Sequence, residues 1–139
     1  LEGAQKVLGT SDTKEYVKLF EAINKNNIGN ALEILQNNFN AGKNMSVFAK
    51  DLTLHARNLL VMKNCNKSEN MIPLSNEALQ LLKQQADTIS NDDLMEYMKI
   101  FSSIEAEMKY ALSPKTLLET AIITAVSEVG EGQKKNELN

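Results

Sequence analysis

The sequence has little of the chemistry that most functional sites require. Cys65 is the only cysteine, so an intramolecular disulfide is impossible and a reducing, cytoplasmic compartment is expected. Arg57 is the only arginine and the net charge is -3, which argues against a nucleic-acid-binding surface. No apolar run approaches the roughly 20 residues that cross a bilayer. We therefore expect no direct nucleic-acid partner and no membrane partner.

Catalytic and metal-binding patterns are equally scarce. His55 is the only histidine, and no second His or Cys lies at metal-ligand spacing, so we predict a histidine at the margin of the core. The stretch "AGKN" (residues 41–44) lacks the residues around Gly-Lys that a phosphate loop requires, and a helix C-cap explains Gly42 better. Glu105 and Glu107 point to different sides of a helix. We predict no catalytic residue, metal ligand or cofactor-binding residue in this chain.

Helical spacing of apolar residues recurs along the chain, whereas the period-two alternation of strands is absent. Six helices are predicted. Asp12 is expected to cap the first helix, with Glu15 completing a capping box, and serines are expected to cap the last three helices, namely Ser75, Ser90 and Ser113. The fold class is all-α, a compact antiparallel bundle of five to six helices over residues 12–129. Residues 1–11 are predicted to be a linker, and residues 130–139 a disordered tail after a helix that ends near Val129.

Two helices carry more apolar surface than one neighbour can cover. The apolar positions of the last helix span roughly 180°, where a surface helix needs about 100°, and Ile123 lies outside even that arc. In the third helix, Val47, Leu54 and Val61 recur at intervals of seven, opposite the main stripe. Either these helices have neighbours on several sides within the bundle, or the surplus forms a subunit interface. The candidate interface residues are Val47, Leu54, Val61, Ile122, Ile123 and Val126.

Three stretches together carry a family resemblance: "VLGTSDTKEYVKLFEAI", "NALEILQNNFNAGKNMSVFAKDLTLHARNLLVMK" and "SSIEAEMKYALSPKTLLETAIITAV". In this order they resemble the third domain of the gamma/tau subunit of bacterial DNA polymerase III. The Ser113-Pro114 helix junction followed by Glu119 is the most specific piece. An arginine that is common before that junction in the family is replaced here by Met108-Lys109, so any contact of that arginine is not carried over.

The resemblance implies an architectural function in DNA replication. It implies that this domain forms the collar of the sliding-clamp loader and contacts the other loader subunits, which are further gamma/tau copies, delta and delta prime. It also implies that the linker of residues 1–11 leads from an AAA+ ATPase module, and that residues 130–139 begin a tether. ATP, magnesium and zinc are then expected only in the N-terminal part of the subunit, and the domain itself is expected not to be an enzyme.

Two other functions remain open on the sequence alone. A generic helical adaptor domain would dock a partner peptide or helix in a groove and would remain monomeric. A small helical enzyme would be stabilised by a metal or a nucleotide, and the missing catalytic patterns speak against it.

Overall fold

The computed structural model describes the backbone of residues 9–138 and the side chains of residues 9–128. Six α-helices and one 3-10 turn follow one another along the chain: α1 Thr10–Asn24, α2 Ile28–Asn40, α3 Met45–Asn64, the turn Ser68–Asn70, α4 Asn76–Ala86, α5 Asn91–Met108 and α6 Pro114–Leu138. No β-strand occurs within residues 9–138. The prediction of an all-α bundle is confirmed.

Side-chain caps fix the starts of five helices. The side chains of Asn27, Asn44, Ser75, Ser90 and Ser113 each accept a hydrogen bond from the backbone N–H three residues further on. Each bond satisfies one of the first-turn donors that have no partner inside the helix. The three predicted serine caps are therefore confirmed.

The predicted cap of α1 is wrong. This helix begins at Thr10 after Gly9, so Asp12 lies inside the first turn, where its carboxylate pairs with the Lys43 ammonium at 3.4 Å. A carboxylate in a first turn is favoured by the helix dipole without capping an amide. The Glu15 carboxylate accepts from the Asn38 side chain at 3.0 Å. The last two residues of the predicted linker are thus helical, and residues 1–8 lie outside the described residues.

The turns after α1 and α2 follow one pattern. Asn26 and Gly42 have φ of 60° and 87°, the left-handed conformation that commonly ends a helix. At the second turn, the Lys43 N–H reaches back to the Asn38 carbonyl at 3.2 Å and satisfies one of the last carbonyls of α2. Gly42 is thus a helix C-cap, as predicted, and not part of a phosphate loop.

The last helix is longer than predicted. Its backbone remains helical through Leu138, beyond the expected end near Val129 and through residues 130–138 of the predicted tail, whereas residue 139 lies outside the described residues. Glycines at positions 130 and 132 each disfavour the helix by about 1 kcal/mol. Most of the other residues in this segment are Glu, Gln, Lys and Leu, which are strong helix formers. An existing helix also gains one hydrogen bond for each residue it adds.

Helix α3 lies at the centre of the bundle and contacts α1, α4, α5 and α6. Hydrogen bonds join Thr10 to Ser75 at one end of α1 and Asn24 to Thr88 at the other, so α1 and α4 run parallel. Two ring pairs join α1 to α3, Tyr16 with Phe48 and Phe20 with His55. Residue numbers therefore rise in the same direction along both helices, so α1 and α3 are also parallel. Residues 65–75 run back along the bundle, so α4 begins at the same end as α3 and the two helices are parallel. This pair is the one departure from the predicted antiparallel order of successive helices.

Aromatic rings join three helices at the centre of the core. The Phe20 ring of α1 lies edge-on to His55 of α3, with centroids 4.7 Å apart, and edge-on to Tyr97 of α5 at 5.5 Å. It also lies beside Phe101 of α5, at 6.2 Å. Edge-to-face pairs at such distances stabilise a core beyond the burial of their area. This cluster fixes α1, α3 and α5 relative to one another.

Candidate interaction surface

The apolar arc of α6 is covered within the protomer. Ile122 is fully buried and Val126 is 5% exposed, because α6 packs against α5, α2, α1 and α3 together. The prediction of Ile122 and Val126 as interface residues is corrected accordingly, since a side chain enclosed by its own protomer offers no surface to a neighbour. Four neighbours, rather than a second subunit, account for the width of the arc.

Ile123 lies on the outer face of α6 and is 41% exposed. The hydroxyls beside it are satisfied within the helix: Thr120 donates to the Thr116 carbonyl at 3.0 Å, and Thr124 donates to the Thr120 carbonyl at 2.9 Å. If a partner covered this face, both hydroxyl protons would keep their hydrogen bonds. The free-energy cost of removing water from these threonines would therefore be small. Ile123 therefore remains a candidate interface residue.

Helix α3 keeps part of its second apolar stripe in solvent despite its four neighbours. Val47 is 54% exposed and Leu54 is 36% exposed, whereas Val61 packs partly against the core. The helix is internal, as one interpretation of the sequence requires, yet the bundle does not cover the first two positions of the stripe. We call the exposed line through Val47 and Leu54 the α3 edge.

A groove of about 450 Å³ between α1 and α3 runs beside the α3 edge. Its floor contains the rings of Tyr16 and Phe48, whose centroids lie 5.2 Å apart at 68°. The Tyr16 hydroxyl donates to the Asp51 carboxylate at 2.6 Å, and burial together with this carboxylate raises the pKa of Tyr16 above its usual value. The groove therefore combines exposed aliphatic side chains with a rigid aromatic floor.

Phe39 and Leu112 are two exposed apolar residues whose spacing would place them on the apolar stripes of α2 and α5. Phe39 is 44% exposed in the last turn of α2, and Leu112 is fully exposed between α5 and α6. Leu112 leaves its stripe because α5 ends at Met108, four residues earlier. The Ser113-Pro114 helix start was a sequence signal for this, because a residue just before an N-cap lies outside both helices.

His55 belongs to a buried polar network and not to a reactive site. Its Nε2 lies 2.8 Å from the Gln85 side-chain oxygen, and the Gln85 amide donates to the Val17 carbonyl at 2.9 Å. The network thus joins α3, α4 and α1. Burial lowers the pKa of His55 from 6.5 to about 4, against a smaller opposing effect of the Gln85 hydrogen bond. His55 was predicted at the margin of the core, but it is 4% exposed and lies among the central rings, so it is a core residue and more deeply buried than predicted.

This network predicts a loss of stability in mild acid. Between pH 6.5 and about pH 4 the unfolded chain binds a proton on His55 that the folded chain excludes, so stability falls as the pH drops through 6.5. From pH 7.5 to pH 5 we expect the free energy of unfolding to fall by about 2 kcal/mol from this group. Urea denaturation at both pH values measures the change.

His55→Gln is the matched control for this prediction. Glutamine can still bond Gln85 but cannot be protonated, so the variant should be less stable at pH 7.5 and nearly unchanged between pH 7.5 and pH 5. Most carboxylates titrate below this window. An equally steep loss of stability in His55→Gln would show that another group is responsible.

Within residues 9–128, no three His, Cys, Asp or Glu side chains cluster as metal ligands. Lys43, the lysine of "AGKN", follows a helix C-cap and pairs with Asp12, so it does not belong to a phosphate-binding loop. In the part of the chain that the structure covers, no helix is both long and apolar enough to span a membrane.

Together, these features define the class as an all-α domain that presents apolar surface on its described residues. The chain matches the family of DNA polymerase III subunits gamma and tau domain III over residues 1–137, and it belongs to that family. Domain III is an all-α domain of a DNA-replication family. The resemblance seen at the Ser113-Pro114 junction is confirmed. Comparison with curated proteins and with solved structures found no match.

Proposed function

We propose that this domain is a collar segment of the sliding-clamp loader of bacterial DNA polymerase III. The observation that carries the proposal is the match to domain III of the gamma and tau subunits over residues 1–137. The domain holds neighbouring subunits together, namely further gamma/tau copies, delta and delta prime. Its contribution to clamp loading is mechanical, because it fixes the positions of AAA+ ATPase modules that rearrange with nucleotide. In this proposal ATP, magnesium and zinc bind elsewhere in the complete subunit.

The exposed apolar residues support a collar in particular. In a ring of more than two subunits each copy contacts its two neighbours through different surfaces. The described residues include a pair of patches on different helices that could serve this way, the α3 edge with Val47 and Leu54 and the outer face of α6 with Ile123. Burial of apolar area contributes about 25 cal/mol for each Å² removed from water. We assign the α3 edge to one neighbour and the Ile123 face to the other.

A double substitution on the α3 edge tests this assignment. Val47→Asp with Leu54→Asp, introduced into the full-length subunit, should lower its affinity for the other loader subunits about tenfold or more, because buried carboxylates would replace apolar contacts. Light scattering coupled to size-exclusion chromatography of the reconstituted loader measures assembly. Circular dichroism checks that the variant stays helical.

The matched control carries the same chemistry at two other exposed apolar residues, Met71→Asp with Met95→Asp, and should assemble normally. Normal assembly of the Val47→Asp, Leu54→Asp variant would exclude the α3 edge from the interface. A full-length subunit that never joins a loader would contradict the collar function itself, and peptide binding by a subunit that fails to assemble would favour the adaptor alternative.

A further inference from the structure

A second groove lies where α2 ends and where α3 and α6 begin. It has a volume of about 490 Å³, within the range of sites that hold small ligands. Its apolar lining consists of Phe39, Leu112, Met45 and Pro114. Phe39 and Leu112 project into solvent, whereas Met45 is buried. We call this site the Phe39–Leu112 groove. It can receive one or two side chains of a partner, but not a whole helix face.

The residues that line this groove are basic, although the chain as a whole is acidic. The protein carries a net charge of -3, yet Lys43 and Lys115 line the groove and no carboxylate does. Both ammonium groups also bond acids outside the lining: Lys43 lies 3.4 Å from Asp12, and Lys115 lies 3.5 Å from Glu119. The Lys115 ammonium lies 5.3 Å from the centre of the Phe39 ring, so charge and apolar surface are adjacent.

Backbone groups add to this positive potential. The N-terminal ends of α3 and α6 both form part of the groove wall, and each carries the positive end of a helix dipole. The first-turn N–H groups of Ser46 and Lys115 have no carbonyl partner within their helices. A carboxylate placed here would meet lysines and backbone donors beside an apolar surface. Uncharged or basic segments would gain only the apolar part of these contacts.

We propose that the Phe39–Leu112 groove docks an acidic, apolar peptide segment of a partner protein. A large apolar side chain of the segment covers Phe39 and Leu112, and a neighbouring carboxylate bonds Lys43 and Lys115. The basic lining and the backbone donors favour this occupant over a basic or uncharged segment. The groove shares Lys43 and Asn44 with the groove beside the α3 edge, but the residues that we assign to collar assembly, Val47, Leu54 and Ile123, do not line it.

Fluorescence anisotropy with a defined probe tests the proposal. The probe is a fluorescein-labelled peptide of sequence Asp-Glu-Leu-Phe-Asp-Leu, which should bind the 139-residue chain saturably. Leu112→Ser should raise the dissociation constant about tenfold, because contact with one large apolar side chain is lost. Lys115→Glu should raise it by about three- to tenfold and should weaken its dependence on salt.

The controls show whether a change in affinity comes from the groove itself. Leu112 is fully exposed, so Leu112→Ser should retain the circular dichroism spectrum and melting temperature of the wild-type chain. Met95→Ser changes an exposed residue outside the groove and should leave the affinity unchanged. A peptide with lysine at each acidic position, or with serine at each apolar position, should bind at least about tenfold more weakly.

Four results would overturn the proposal. They are the absence of saturable binding, an unchanged affinity in Leu112→Ser, equal binding of the lysine peptide, and self-association of the chain that Leu112→Ser abolishes. The last result would identify a second copy as the occupant. The Leu54→Asp variant should bind the acidic peptide normally, because Leu54 lies outside the groove. A failure of collar assembly would therefore be distinguishable from a failure of peptide docking.

Discussion

Ile122→Glu should unfold the domain, whereas Ile123→Glu should leave it folded and weaken its assembly. Ile122 is fully buried among the helices that surround α6, and a glutamate there would lose the apolar contacts and bury a charge without a partner. Such a change costs more than about 4 kcal/mol, a large part of the roughly 5–15 kcal/mol that stabilises a typical domain. Thermal melts followed by circular dichroism measure the effect.

The neighbouring isoleucine provides a matched control for this prediction. Ile123 is 41% exposed, so the same glutamate can remain in water, and the melting temperature should change little. In the reconstituted clamp loader, Ile123→Glu should lower the affinity between subunits. Equal melting temperatures for the two variants would contradict the described packing of α6. Normal assembly of Ile123→Glu would remove this residue from the interface.

The parts of the fold that depend on local chemistry could be predicted from the sequence. Ser75, Ser90 and Ser113 cap helices because a serine side-chain oxygen accepts a hydrogen bond from a first-turn backbone N–H that has no partner within the helix. Gly42 ends α2 because its left-handed conformation is unfavourable for residues with a side chain. The lone His55 could be predicted as a structural residue at the core, though not as a central one, because no second ligand or catalytic partner accompanies it.

The parts that depend on which helices become neighbours could not be predicted. The arc of α6 was equally compatible with a subunit interface, and only the packing of four helices around Ile122 and Val126 decides between burial and exposure. The parallel order of α3 and α4 likewise depends on the path of residues 65–75. The helical spacing of apolar residues continues from Met108 to Leu112, although α5 ends at Met108.

The candidate surfaces depend on a core that holds their helices in register. The α3 edge and the groove of Tyr16 and Phe48 lie on α1 and α3, and these two helices meet α5 at the ring of Phe20. A collar segment transmits force between neighbouring modules only if its helices do not slide past one another. Dense packing supplies this rigidity, since an interior as close-packed as a crystal has low compressibility. The aromatic cluster is therefore the part of the core whose loss should matter most.

Phe20→Ala should lower the free energy of unfolding by about 3–5 kcal/mol. The substitution removes a fully buried ring and leaves a cavity among His55, Tyr97 and Phe101, whose rings cannot all move to fill it. Urea denaturation at pH 7.5 measures the change. The same substitution at Phe39, which is 44% exposed, should cost less than about 1 kcal/mol, mainly from its contact with Lys115. Similar costs at both positions would mean that Phe20 is not the centre of the core.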